Sequence, residues 1–351
     1  MARRAHVVFC EDKYYLLWQT ELFIHSLTHR ANVRQEDIVV LYADPSYHKR
    51  SNDYEWGQTP YLQSMIKHYN NVKFYPVQNW GRKNWYYRFK DDGTWYPKQY
   101  PGINKWLSLC EAANAGWLDD YDRVLLLEQD LWFSRGVPEL ASGNCVTDNW
   151  LCNRYRAFGV DDKTPEENTD GFDLDDIMKL CKVPVKNREK WTSGAIVFQF
   201  ITPQLKQAKF LNALVNYNQL LMTLGELALP QGARHETDMV APSLALAHCG
   251  MQCETVKNMK WRSDIWTWNH EPPTGTVVHY GWDFNAYPHL KSTFSKFKYN
   301  NHGPWEDKDI YNKEKSTVAF DWIRDMYDDL ISLGDIKLER VCDRDVYLPT
   351  I

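Results

Sequence analysis

The chain has no long apolar run. Its start, "MARRAHVVFCEDKYYLLWQ", is basic but returns to charge after a few apolar residues, too soon for a signal-peptide core or a membrane span. No membrane partner is therefore expected, and the protein reads as cytoplasmic. It has no excess of positive charge either: Lys and Arg number 41 against 46 Asp and Glu, a net charge of −5. No whole-protein field then draws it to nucleic acid, and only a local basic patch could do so. Paired cysteines are also lacking. The eight cysteines are scattered, several inside apolar segments, which suits reduced thiols packed as small hydrophobes. "HCGMQC" (His248, Cys249, Cys253) has no second cysteine pair at zinc spacing to complete it. Internal repeats, low-complexity linkers and composition breaks are missing too, so one domain over 1–351 is expected.

What the chain does have is aromatic residues. They make up 15% of it, with 16 Trp and 21 Tyr, whereas its apolar and charged fractions are those of an ordinary globular protein. Rings in that number suit the packing of sugars or bases against side chains; an aromatic-rich core is the alternative.

Strand and helix patterns alternate along the first half. "AHVVFC" reads as a buried strand ending in the turn Glu11-Asp12-Lys13, and "YYLLWQTELFIHSLTHR" as a helix. "DIVVLYAD" is a second strand, ending at Asp44; "YLQSMIKHY" is a helix and "NVKFYPV" a third strand. A helix over 102–117 precedes a fourth strand at 123–127. The alternation predicts an α/β fold, a mostly parallel sheet with helices on both faces. The second half offers a strand in "WTSGAIVFQF", a helix over 205–229 with a break expected near Gly225, and a helix opening at "HETD". A strand in "TGTVVHYGWDFN", a Lys-rich aromatic loop and an amphipathic helix at about 316–333 complete the pattern.

The stretch "YDRVLLLEQDLWFSR" carries the chemistry. An aliphatic strand stops at Glu128, Gln129 and Asp130 and resumes as Leu-Trp-Phe. In parallel sheets ligands bind beyond the carboxyl ends of strands, where Asp12, Asp44, Glu128 and Asp130 all fall. Carboxylates at i and i+2 face one way on extended chain and suit hard divalent cations, Mg2+ or Mn2+. Such a triplet is otherwise solvated surface, and His279 in "TVVHYGWDFN" reads either as a further ligand or as a hydrogen-bonded structural residue.

Three segments carry a family resemblance. "HVVFCEDKYYLLWQTELFIHSL", "LLLEQDLWF" and "EPPTGTVVHYGWDFN" with its Lys-rich sequel resemble the GT-A glycosyltransferases related to hydroxyproline O-arabinosyltransferases and peptidyl-serine α-galactosyltransferases. The middle, roughly 140–260, matches only in layout. The resemblance implies a Rossmann-like GT-A domain, with residues 1–135 binding a nucleotide-sugar and 136–351 forming the acceptor half. It implies Asp130 as the principal metal ligand at a solvated strand end, Glu128 on the ribose or a metal-bound water, and His279 as the third ligand. Asp12 and Asp44 would hold the nucleoside, and Lys105 the nucleoside or phosphate. Trp191, Ser193 and Gly194 would shape the sugar pocket, and Glu236 and Asp238 would recognise sugar or activate the acceptor. Lys291, Lys296 and Lys298 would neutralise the diphosphate. The cofactor implied is Mn2+ or Mg2+, the donor a UDP-sugar.

One segment bears on the acceptor. "NWGRKNWYYRFKDDGTWYPKQYPG", 79–102, interleaves basic and aromatic residues, among them Arg82, Lys83, Trp85 and Arg88. That mixture suits phosphates and stacked bases. Together with a chain read as unanchored, it points first to hydroxymethylpyrimidines in phage DNA, within the host cytoplasm. A peptide or glycan hydroxyl is the second acceptor class, and a non-catalytic sugar-binding module the alternative outside enzymes.

Overall fold

The computed structural model describes residues 2–44, 59–83, 85–89, 92–99, 101–133, 136–137, 140, 142–147, 174–191, 197–228, 237–256, 261–262, 277–279, 296–299, 303–304, 324–326 and 328. β1 (Arg4–Glu11) leads into α1 (Tyr14–His25) and β2 (Ile38–Ala43). α2 (Pro60–His68), β3 (Lys73–Pro76) and the short α3 (Trp80–Lys83) follow. A hairpin of β4 (Trp85–Phe89) and β5 (Trp95–Gln99) precedes α4 (Asn104–Asn114), β6 (Arg123–Leu127), β7 (Leu131–Phe133) and β8 (Asn144–Thr147). The later elements are α5 (Leu174–Leu180), β9 (Phe198–Ile201), α6 (Ala208–Ala228), α7 (Thr237–His248) and β10 (Cys253–Val256). The short strands β11 (Trp261–Arg262) and β12 (Val277–His279) come last.

Seven strands form the central sheet in the order β10-β8-β9-β6-β1-β2-β3. β9 is antiparallel to both its neighbours, and every other pairing is parallel. This is the mostly parallel α/β fold expected from the sequence. The near-continuous aliphatic runs of β1, β2 and β6 follow from it, because a parallel strand is covered on both faces. Alternate residues serve opposite cores. Val7, Phe9, Leu41, Val124 and Leu126 meet α4, α6 and α7 on one face; Val8, Val40, Leu125 and Leu127 meet α1 and α2 on the other.

Two local expectations change. α6 runs unbroken through Gly225, whose cost of roughly 1 kcal/mol in a helix interior is small against the apolar face the helix buries. α1 gives way to a π-helical turn at Ser26–Arg30, where the Ser26 hydroxyl accepts a hydrogen bond from the backbone N–H of Phe133 at 3.2 Å. Of the helix expected at 316–333, the described residues 324–326 and 328 are helical. Among the described residues, no helix is long and apolar enough to cross a membrane. Burial pushes the Cys10 and Cys110 thiols up to about 12, so they pack as hydrophobes.

Candidate functional site

β1 and β6 are adjacent and parallel, so their carboxyl ends open at one edge of the sheet. A cleft of about 240 Å³ lies there. Phe9, Leu16 and Leu127 give it an apolar base, Gly102 lies where α4 begins, and Glu11, Lys105, Glu128, Gln129 and Asp130 supply its polar groups. That volume is below the range of roughly 300–1,000 Å³ of drug-sized ligand pockets, so the described walls suit part of a large ligand, such as a diphosphate or one ring.

Charge is balanced within the cleft. Lys105, on the first turn of α4, donates to Glu128 Oε1, with both side chains less than a fifth exposed. Lys296 donates to Asp130 Oδ2, and this pair is more deeply buried. Asp130, expected at a solvated strand end, is only 4% exposed. The strand pattern explains the difference: β7 restarts one residue later as fully buried Leu131-Trp132-Phe133, which holds Asp130 down. Burial acts to lower the Lys296 pKa, but Asp130, then Tyr15, and Glu128 outweigh it and the net shift is upward. The ammonium is thus charged at neutral pH.

Glu11, and not Asp12, faces the cleft. Side chains of a strand alternate, so Glu11 follows Phe9 into the cleft while Asp12 turns away. Glu11 accepts from Lys13 and, at 2.8 Å, from Asn79 Nδ2. Asn79 also donates to the Asp44 carbonyl at 2.6 Å and accepts from Asn104 Nδ2 at 2.9 Å. This amide chain ties the ends of β1 and β2 to the start of α4. Asp12 accepts from the Thr59 backbone N–H at 2.9 Å and the Thr59 hydroxyl at 2.6 Å. Thr59 is the N-cap of α2, its hydroxyl accepting from the Leu62 N–H at 3.2 Å, so Asp12 positions a helix start.

The structure thus brings together Lys105, Glu128, Asp130 and Lys296 of the residues singled out from sequence. β12 pairs antiparallel with β7, His279 opposite Leu131, so the backbone at 279 lies one residue from Asp130 although 149 positions away in sequence. The His279 side chain is outside the described residues, and among those no group of three His, Cys, Asp or Glu side chains is placed to hold a metal ion. Trp191 follows a 3-10 turn and packs on the core face shared by α4 and α6. Its buried indole N–H finds no acceptor among the described residues. Asp238 falls on the first turn of α7, while Glu236, Ser193, Gly194 and Lys291 lie outside the described residues. Arg82 and Lys83 end α3, and Trp85 and Arg88 belong to β4, whose hairpin runs into the turn containing Gly102. The side chains of these four, of Asp238 and of Lys298 are likewise not described.

Glu11, Asn79, Asn104 and Gln129 were not singled out. Glu11 was readable in principle from strand alternation, once the strand is known to extend through it; the two asparagines have no pattern that marks them.

No family model matches the chain, and no curated protein does. Among solved structures it is similar to the apo form of WbbM, a bifunctional glycosyltransferase, with a TM-score of 0.45 and 12% identity over 93% of this chain and 49% of that one. The chain spans about half the length of that protein, and a likeness so shallow carries no functional weight.

Proposed function

We propose that the protein is a divalent-metal-dependent glycosyltransferase that moves a sugar from a nucleoside-diphosphate sugar, best read as a UDP-sugar, to an acceptor hydroxyl. The observation that carries the proposal is the cleft at the ends of β1 and β6, where Glu128 and Asp130 meet Lys105 and Lys296. Carboxylates beside ammonium groups suit a ligand that arrives as a metal-bound diphosphate: the acids would face the cation and the lysines the phosphate oxygens. Asp130 and Glu128 are oxygen donors of the kind Mg2+ or Mn2+ takes and would hold the cation, with His279, on the strand paired with β7, proposed as the third ligand. Once bound, the cation would neutralise charge growing on the departing diphosphate.

The residues of the chain then have separate tasks. Lys105 and Lys296 would face the phosphates, Glu11 and Gln129 add polar groups to the same cleft, and the apolar base formed by Phe9, Leu16 and Leu127 would limit water there. In the transfer the acceptor oxygen forms a bond to the anomeric carbon as the bond from that carbon to the phosphate oxygen breaks. The nucleoside diphosphate leaves with the electron pair. The acceptor proton goes to a carboxylate such as Glu236 or Asp238 if configuration inverts, or to the leaving phosphate if it is retained.

The acceptor we favour is a hydroxymethylpyrimidine in DNA, on the strength of the basic-aromatic hairpin that runs into the cleft at Gly102. Calorimetry with UDP and Mn2+, followed by transfer from UDP-sugars to duplex DNA containing 5-hydroxymethylcytosine or 5-hydroxymethyluracil, tests both levels. Binding that disappears in Asp130→Ala, with added sugar mass on the nucleoside, is the expected result. No UDP or other nucleoside diphosphate bound with metal would reject the transferase; binding with transfer only to peptide or glycan hydroxyls would reject the DNA acceptor.

A further inference from the structure

Lys296 reaches Asp130 from a part of the chain far removed in sequence, and its fit there is built from two sides. It opens a four-residue 3-10 turn, Lys296–Tyr299. The other end of that turn is pinned: Tyr299 is fully buried, its carbonyl accepts from Trp18 Nε1 at 3.2 Å, and its ring meets that indole edge-on at 6.2 Å. Trp18 belongs to α1, which also contributes Leu16 to the cleft. The turn is therefore fixed on α1 by Tyr299, while the ammonium at its start lies on the carboxylate that the proposed chemistry needs for a cation.

A divalent ion on Asp130 would put two like charges against one buried carboxylate, where little solvent screens them. Lysine has the means to leave. Its charge sits at the end of a flexible four-carbon stem, so the ammonium can swing without unseating the anchor at Tyr299. We infer that Lys296 is an exchangeable cation of the cleft: it neutralises Asp130 while the cleft is empty, gives that place to the divalent ion, and transfers its charge to the diphosphate that arrives with the ion. This rests on the glycosyltransferase proposal and adds an order of events to it. The empty cleft is kept electrically neutral, and metal binding without nucleotide is held weak because it takes from the ammonium the carboxylate it donates to.

Reductive methylation of the intact protein, read lysine by lysine by mass spectrometry, tests the exchange in the wild-type chain. Lys296 should react slowly in metal-free buffer, several-fold faster with saturating Mn2+ alone, and slowly again with Mn2+ and UDP. Lys73, on an exposed ion pair with Asp120 beside β3, is the internal control and should not change. A Lys296→Met variant should bind Mn2+ alone about 10-fold more tightly, by the loss of the free-ion paramagnetic resonance signal, and bind UDP with Mn2+ about 10-fold more weakly. If that variant does not fold, the methylation result decides. Mn2+ that binds while Lys296 stays slow would overturn the exchange and leave the transferase standing; a protein that binds no divalent ion at all would overturn both.

Discussion

Asp12 separates a binding residue from a folding one. As a nucleoside contact it would be expendable to stability; as the structure has it, both carboxylate oxygens are engaged by Thr59, at 2.9 and 2.6 Å, and the residue is 3% exposed. Hydrogen bonds to a charged group contribute about 1.5–3 kcal/mol each. Asp12→Ala removes both acceptors and leaves the Thr59 N–H and hydroxyl to be resatisfied at the start of α2. Two such bonds set a range of about 3–6 kcal/mol, and because water resatisfies part of the freed Thr59 groups we expect a loss of about 3–5 kcal/mol. Asp12→Asn keeps one acceptor oxygen without the charge and should lose about half as much. Against total stabilities of about 5–15 kcal/mol, either loss is large enough to move the unfolding midpoint clearly. Urea unfolding followed by tryptophan fluorescence reads the loss directly, with nucleotide affinity measured on the same samples below the transition. A midpoint unchanged in Asp12→Ala, together with a large drop in nucleotide affinity, would refute the helix-positioning role.

Two further outcomes follow from buried charge. Asp130→Asn leaves the Lys296 ammonium buried without its carboxylate and should cost about 3–5 kcal/mol, whereas Asp130→Asn with Lys296→Met should recover most of that; equal thermal stabilities for wild type, single and double variants would contradict the pairing. His6 is held neutral, its pKa lowered to about 3 by burial, with Arg4 adding to the effect. The unfolded chain takes up a proton at His6 near pH 6.5 and the folded chain does not, so His6 erodes stability as pH falls from about 6.5 towards 3, by up to about 1.4 kcal/mol per pH unit. Replacing it in His6→Leu should flatten that part of the stability profile, measured by urea unfolding between pH 4 and 7; an unchanged slope would show that His6 is protonated in the folded protein.

Much of the fold was legible because parallel strands write themselves plainly. Val7 to Cys10, Ile38 to Ala43 and Val124 to Leu127 are runs that only a doubly covered strand needs, and their alternation with helical patterns gave the α/β class. Of the small strands, β12 was legible as the strand in "TGTVVHYGWDFN", whereas β7, β8 and β10 were not: β7 is three residues long and is defined by its pairing with β12, and β8 and the edge strand β10 are four-residue strands with polar positions. Gly225 misled for a related reason: a helix propensity is a local preference, and the packing of α6 against α7 and the sheet overrides it.

The site was legible where chemistry interrupts a pattern and hidden where a fold contact supplies the partner. Glu128 and Asp130 stood out because carboxylates broke an aliphatic run. Nothing in the residues around Lys296 tells it from Lys298, two positions along in the same Lys-rich loop; what distinguishes it is that Tyr299 seats on Trp18 and thereby aims the start of the turn at Asp130. Asp12 and Glu11 show the same limit at one-residue resolution. Both are acids at the end of β1, and the strand period alone decides which one enters the cleft and which one holds Thr59. A single-residue slip of β1 against β6 would exchange their tasks. The register Val8↔Leu127 is therefore as much a part of the candidate site as the carboxylates themselves, and the apolar side chains that fix it, Val7 and Phe9 on one face and Val8 and Cys10 on the other, decide which acid enters the cleft.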